Sequence, residues 1–181
     1  GRGQFASWRA FAESVARAAL QQARASELAD LCDIAEDRLY ELLPALHRVR
    51  EARLIHGDAG AGNVLCRDGR IVAWVDFEYS SGADSLYELT FVGGLFEAGV
   101  YPGDDVTRAR AMESFARGYS ERALPSEDDP DRVAYYRIVH ALRQGEFLRV
   151  VGPTLGEEER ARAVALRLGA LRRAIAGSGE G

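Results

Sequence analysis

From Phe5 to about Val49, apolar residues return at three- and four-residue spacing. Phe11, Val15, Ala18 and Ala19 share one face of the first stretch, and Leu28, Leu31, Ile34, Leu39, Leu42 and Leu43 form a stripe along the second. Alanine, leucine, arginine and glutamate fill the rest, and all are good helix formers. The pattern predicts two helices. The break falls near Ala25-Ser26, where the serine hydroxyl suits the cap of a helix over Glu27–Leu43, with Pro44 near its end.

The period changes at Arg53. Leu54-Ile55 is a short apolar run, His56 to Gly62 a glycine-rich loop, and Val64-Leu65-Cys66 and Ile71 to Val75 are β-type runs joined at Asp68-Gly69, a hairpin dipeptide. Helical spacing resumes over about 84–97, 104–122, 130–150 and 156–176, separated by Gly99, Pro102, Pro125 and Gly152-Pro153. Asp129-Pro130 is a strong helix start, because aspartate accepts first-turn amides and proline loses nothing at the first helical position. Gly177 to Gly181 reads as a flexible tail. The expected fold is mainly α with one small β hairpin, an α+β class, in a single domain spanning residues 1–176.

Composition narrows the function classes. The chain has 181 residues, 47% hydrophobic and 28% charged, which excludes disordered and collagen-like readings. All 23 basic residues are arginine, none is lysine, and 28 acidic residues leave a net charge of −5. Because the arginines interleave with carboxylates, no dense basic face is available for nucleic acid. No apolar run approaches the roughly 20 residues that span a bilayer, and the start lacks a signal-peptide layout, so the expectation is a cytoplasmic protein without a membrane partner. Cys32 and Cys66 lack metal-ligand spacing and read as two reduced, buried thiols. His47 and His140 read as ordinary helix histidines. Met112 is the sole methionine, which points to a processed or excised chain.

Chemistry concentrates in one window: His56, Gly57, Asp58, Gly60, Gly62 and Asn63, then Asp76 and Glu78 across the hairpin. A hairpin starting at Asn63 and ending at Asp76 brings an amide oxygen and a carboxylate together, an open oxygen site of the kind Mg²⁺ accepts. Asp58, on the adjoining loop, is placed to take a proton from an attacking hydroxyl. Each residue also has a plainer reading: Asp58 as a turn former, Asn63 as a loop backbone partner, Asp76 as a strand end. Gly60-Ala61-Gly62 resembles a phosphate cradle only superficially, since no Walker lysine or dinucleotide pattern accompanies it.

His56-Gly57-Asp58, Asn63, Val75-Asp76-Phe77, Gly82-Ala83-Asp84 and Leu86-Tyr87-Glu88-Leu89 together resemble the catalytic centre of the aminoglycoside phosphotransferase and choline kinase family, relatives of the protein kinases. The resemblance implies a C-terminal kinase-like lobe, with Asp58 as catalytic base, Asn63 and Asp76 as magnesium ligands, and Leu65 and Val75 under the adenine. It implies that His56 orders the loop and that Asp84 braces the loop backbone or caps the helix. Glu78, Tyr79 and Glu146 are the candidate acceptor contacts. Acidic residues including Glu78, Asp84, Glu88, Asp104 and Asp105 would suit a cationic acceptor.

Two departures matter. The loop reads Ala59-Gly60-Ala61-Gly62 where the family often has a bulkier Leu-His-Pro-Gly. A lysine-free chain also cannot supply the lysine that pairs the nucleotide phosphates, so the N-terminal ATP-binding β lobe is expected to be missing. The expected function is ATP- and Mg²⁺-dependent transfer of a phosphoryl group to a small-molecule hydroxyl, an aminoglycoside or other antibiotic among the candidates. The arginine-only, alanine-rich composition fits a GC-rich bacterial coding sequence. The isolated chain is expected to be inactive and to self-associate through apolar surface near Leu65 and Val75. The competing reading is a catalytically silent lobe that binds a partner. A metal-dependent phosphohydrolase is disfavoured, because clustered Asp/His sets for two metals are absent from the sequence.

Overall fold

A computed structural model describes residues 5, 7–49, 51–68, 70–97, 105–120 and 129–177, without the side chains at 96, 97, 105, 108, 112, 116, 119 and 120. The chain divides into two compact units. One comprises Gly1–Val49 with Asp129–Gly181, and the other is Arg50–Asp128.

In the first unit, α1 (Trp8–Arg24) begins where the Ser7 hydroxyl accepts the Ala10 N–H at 3.2 Å. The second helix starts later than its sequence signal. Ser26 Oγ donates to the Ala23 carbonyl at 2.8 Å and accepts the Leu28 N–H at 3.2 Å. Thus it closes the end of α1 instead of capping a helix at Glu27. A 3-10 turn over Ala29–Leu31 intervenes, and α2 runs Cys32–Leu42 before a second 3-10 turn at Leu43–Arg48. This delay rotates the buried stripe to Leu28, Cys32, Ala35, Leu39 and Leu42, and Ile34 is left 56% exposed.

The return segment carries α5 (Pro130–Val150) and α6 (Glu157–Ala176). Between the two units' boundaries in sequence lie α3 (Ser85–Glu97) and α4 (Asp105–Ser120), both in the second unit. Helix α1 presents Ala12, Ala16, Ala19 and Ala23 as its buried face, small residues that allow close approach. A Cβ added at Gly145 of α5 would lie 2.7 Å from Ala23 Cα. Tyr135, Tyr136, Ile138, Val139 and Leu142 of α5 and Leu171 of α6 fill the core, and Trp8 Nε1 donates to the Tyr136 hydroxyl at 2.7 Å. His140 is buried in α5, and His47 pairs with Arg9.

The two chain segments of this unit are clasped where they join the other one. Arg48 donates Nε to Asp129 Oδ2 at 2.7 Å and Nη2 to Oδ1 at 2.6 Å, a bidentate fork. Asp129 also accepts the Arg132 N–H at 3.2 Å, the cap that the Asp129-Pro130 pattern predicts. These donors, with the Arg48 hydrogen bond foremost, hold the Asp129 carboxyl below its ordinary range.

The second unit contains two small antiparallel sheets. Strands β2 (Val64–Arg67) and β3 (Arg70–Trp74) form the predicted hairpin, with Val64 opposite Trp74 and an irregularity between Leu65 and Cys66. Strand β1 (Arg53–Ile55) pairs with β4 (Ser81–Ala83), Ile55 opposite Ser81. Ser-Gly-Ala carries no β-branched or aromatic signal, so β4 is invisible to pattern reading. Cys66 is exposed, contrary to the buried thiol expected of it, while Cys32 is buried; both are free. Its strand belongs to a hairpin exposed along most of its length, with no core to enter. The predicted breaks at Gly99, Pro102 and Pro125 and the tail beyond Gly177 fall outside the described residues. Among the described residues, no helix is long and apolar enough to cross a membrane.

Gly145→Ala should lower stability in chemical denaturation. Overpacking costs about 1–3 kcal/mol, against a helix-propensity gain of about 1 kcal/mol; a stabilised variant would show that α1 yields at Ala23. Asp129→Asn keeps a good N-cap and removes the charge. Since the folded carboxyl titrates below the unfolded reference of 3.8, its stabilisation is present above that value and is lost as pH falls through the lower folded value. The Tm of Asp129→Asn should therefore fall less steeply than wild type below pH 3.8, and parallel curves would exclude this linkage.

Candidate active site

The site is built around the loop that follows β1. His56 N–H donates to both carboxylate oxygens of Glu88, at 2.9 and 3.2 Å, which anchors the loop to α3. The His56 ring then works in both directions. Its Nδ1 accepts the Asp58 N–H at 3.4 Å, so the ring proton sits on Nε2, which donates to the Val75 carbonyl at 2.9 Å. The imidazole also packs on Phe77, with ring centroids 4.5 Å apart, and faces Trp74 at 5.5 Å. One residue thus ties the loop to the end of the hairpin.

Gly57 permits the crossing. Its φ is +82°, and a Cβ there would come within 2.3 Å of the Tyr79 carbonyl oxygen. Any side chain would push the loop off the 3-10 turn Phe77–Tyr79. Beyond it, Asn63 Nδ2 donates to the Asp58 carbonyl at 2.9 Å and to Asp58 Oδ2 at 3.0 Å. Asn63 is in turn fixed by the Val75 N–H, which donates to its carbonyl at 3.0 Å and extends the β2–β3 ladder by one pair. Asp76 follows at once, in the left-handed region with φ 65°. Asparagine and aspartate tolerate this region better than most residues, and here it turns the chain sharply out of β3.

The structure therefore brings together Asp58, Asn63 and the backbone beside Asp76, through the bonds that the hairpin register provides. Asp58 and Asn63 are half-buried, whereas Asp76 is exposed. Among the described residues, no protein donor meets Asn63 Oδ1, Asp58 Oδ1 or the Asp76 carboxylate. An amide oxygen and a carboxylate without protein donors are hard oxygen ligands, and such a pair fits Mg²⁺.

Asp84 caps α3, one of the two roles expected of it, by accepting the Leu86 N–H on Oδ1 at 3.1 Å. Glu88, one turn into α3, is a further carboxylate that meets the loop backbone, a role not expected of it. One expectation changes: Asp84 and Glu88 do not offer charge to an acceptor, being only 1% and 5% exposed. Glu78 and Tyr79 are exposed on the turn after Asp76. Glu146 lies on α5, in the other unit, and Asp104 and the Asp105 side chain lie outside the described residues. Leu65 and Val75 are exposed at 49% and 37%. The signal for Glu88 was present: a lone acid in the apolar run Ser85-Leu86-Tyr87-Glu88-Leu89-Thr90-Phe91-Val92 must find donors.

Residues 2–136 match the family model of the phosphotransferase enzyme family, APH, and the chain belongs to that family. Among solved structures, the chain is similar to a thermostable mutant of aminoglycoside phosphotransferase APH(4)-Ia in its apo form. The TM-score is 0.58 and the identity 23%, over 98% of this chain and 55% of the other. The likeness shows a common fold, and this chain spans about half the length of that structure. No curated protein sequence matches the chain.

Glu88→Leu should leave the buried His56 N–H without its acceptor, a loss of about 1–3 kcal/mol. Hydrogen exchange at the His56 amide should accelerate at least about tenfold, while Glu88→Gln, which retains an amide oxygen, should protect it. Equal protection in all three proteins would remove Glu88 as the anchor.

Proposed function

We propose that this chain is the acceptor-side, metal-binding lobe of an ATP-dependent small-molecule kinase, with Asp58 as the base and Asn63 and Asp76 as the magnesium ligands. The observation that carries the reading is the double clasp of Asn63 Nδ2 on Asp58. It directs one carboxylate oxygen of Asp58 to the asparagine and leaves Oδ1 to take a proton. It also leaves Asn63 Oδ1 available to a cation. Family membership supports the reaction class, and the exposed hairpin residues Leu65 and Val75 support a nucleotide lying over β2 and β3.

In this reading Asp58 accepts the proton of an acceptor hydroxyl as that oxygen bonds to the γ-phosphorus of ATP. The bond from γ-phosphorus to the bridging oxygen breaks, and ADP carries away the electron pair. Mg²⁺, when bound, neutralises and orients the phosphate oxygens. Asn63 and Asp76 hold their positions through the ladder bond to Val75 and the sharp turn at Asp76. His56 orders the backbone between them and transfers no proton. The acceptor is a hydroxyl-bearing small molecule, with aminoglycosides one candidate class; Glu78 and Tyr79 are the exposed polar groups nearest in sequence to Asp76.

The chain contains no lysine, so the cation that pairs the nucleotide phosphates in kinases would come from a further segment. The same absence favours the second reading, a lobe that binds without turnover. Full-length protein separates the two.

Asp58→Asn in the full-length protein should hold nucleotide affinity and lower turnover on the order of 10²-fold or more, because shape is kept and the proton acceptor lost. Asp76→Asn should raise the magnesium concentration needed for half-maximal rate, with partial recovery at high metal. A magnesium titration at saturating acceptor checks both. Rescue of Asp58→Asn by metal would reverse the two roles, and full activity in both variants would remove the kinase reading.

A further inference from the structure

Within the second unit, His56, Ala59, Trp74, Phe77, Glu88 and Phe115 line a cavity of about 310 Å³. That volume lies at the lower end of small-molecule sites. Four of its walls are rings, Ala59 contributes only a methyl group, and the remaining wall is a carboxylate already bonded to the His56 N–H. The Asp58, Asn63 and Asp76 side chains are not among the lining residues.

We propose that this cavity binds a neutral, planar aromatic molecule of one or two fused rings, and that its occupancy bears on the Asp58 loop. The pocket is open to solvent on one side, with Phe77 50% and Trp74 37% exposed, so a ring seated in it removes apolar ring surface from water. Aromatic walls also favour a ring in edge-to-face or offset contact. An anion would meet the Glu88 charge. A cation would have to shed its water and compete with the His56 N–H for Glu88. A neutral ring does neither.

The consequence for the loop follows from which residues form the walls. His56 and Ala59 bracket Asp58, and Trp74 and Phe77 bracket Asp76. The His56 ring bonds the Asp58 N–H through Nδ1 and the Val75 carbonyl through Nε2. A ligand pressed against that ring shifts both bonds. The functional consequence rests on the kinase reading, but the binding does not, so the test uses binding alone.

Indole is the probe, titrated into the 181-residue chain and followed by calorimetry and by amide and ring resonances. The expected result is saturable one-to-one binding with shifts at His56, Asp58 and Phe77. Ala59→Leu and Phe115→Trp each fill the cavity from a different wall and should weaken indole at least tenfold, with circular dichroism reporting that each variant is folded. If Ala59→Leu fails to fold, Phe115→Trp decides. Indole-3-acetate should bind more weakly than indole. No saturable binding, unchanged affinity in a folded filled variant, or shifts confined to residues away from the cavity would overturn the proposal. Tighter binding of tryptamine than of indole would overturn the neutral class. A failure of the kinase reading would leave every one of these results unchanged.

Discussion

A carboxylate buried to the extent of Glu88 must be met by donors, and the arrangement of the whole motif follows from where those donors lie. One of them is the His56 N–H, taken by both oxygens. That bond sets the position of the loop at its first residue. The His56 ring is then placed between the Asp58 N–H and the Val75 carbonyl, so the loop and the hairpin end cannot move independently. A histidine serves better here than a longer side chain because its two nitrogens play opposite roles in the neutral ring, one accepting and the other donating. Gly57 is the remaining condition, since only a residue without a side chain passes the Tyr79 carbonyl at this distance.

Helix positions and the hairpin were legible in the sequence because their signals are local. The Asp129-Pro130 start and the Asp68-Gly69 turn each depend on backbone preferences a few residues long, and the elements they bound lie where the pattern puts them. Ser26 misleads for the same reason. Its hydroxyl has two local uses, and closing α1 at Ala23 wins over capping a helix at Glu27. Strand β4 has no local signal and exists because β1 lies beside it, which is a tertiary cause.

The candidate site was legible for a different reason. Asp58 and Asn63 belong to a motif recognisable without geometry, and the structure joins these two side chains, with Asp76 following the same hairpin. The roles of the supporting acids were not legible in this way. Asp84 and Glu88 sit one helical turn apart and both enter the core, so what each meets depends on the register of α3 against the loop. Asp84 accepts the Leu86 N–H and Glu88 the His56 N–H. The same burial removes both from the acidic surface expected to favour a cationic acceptor.

The two units are stabilised by different means, each consistent with the chemistry assigned to it. The helical unit relies on close approach of small residues, with Gly145 against Ala23, and on an ion pair that joins its two segments at Arg48 and Asp129. Such packing tolerates little displacement. The motif-bearing unit has three- to five-residue strands, apolar side chains left exposed along β2 and β3, and an aspartate in the left-handed region. Its buried apolar residues, Ile55, Ala83, Leu86, Tyr87 and Val92, lie on β1, β4 and α3, and directed hydrogen bonds hold the loop and hairpin end that carry the motif. A centre that must bind a cation and accept a proton needs oxygens without protein donors, and every such oxygen is a bond withheld from the fold. Asn63 reconciles the two demands by spending its amide nitrogen on Asp58 and leaving its oxygen free.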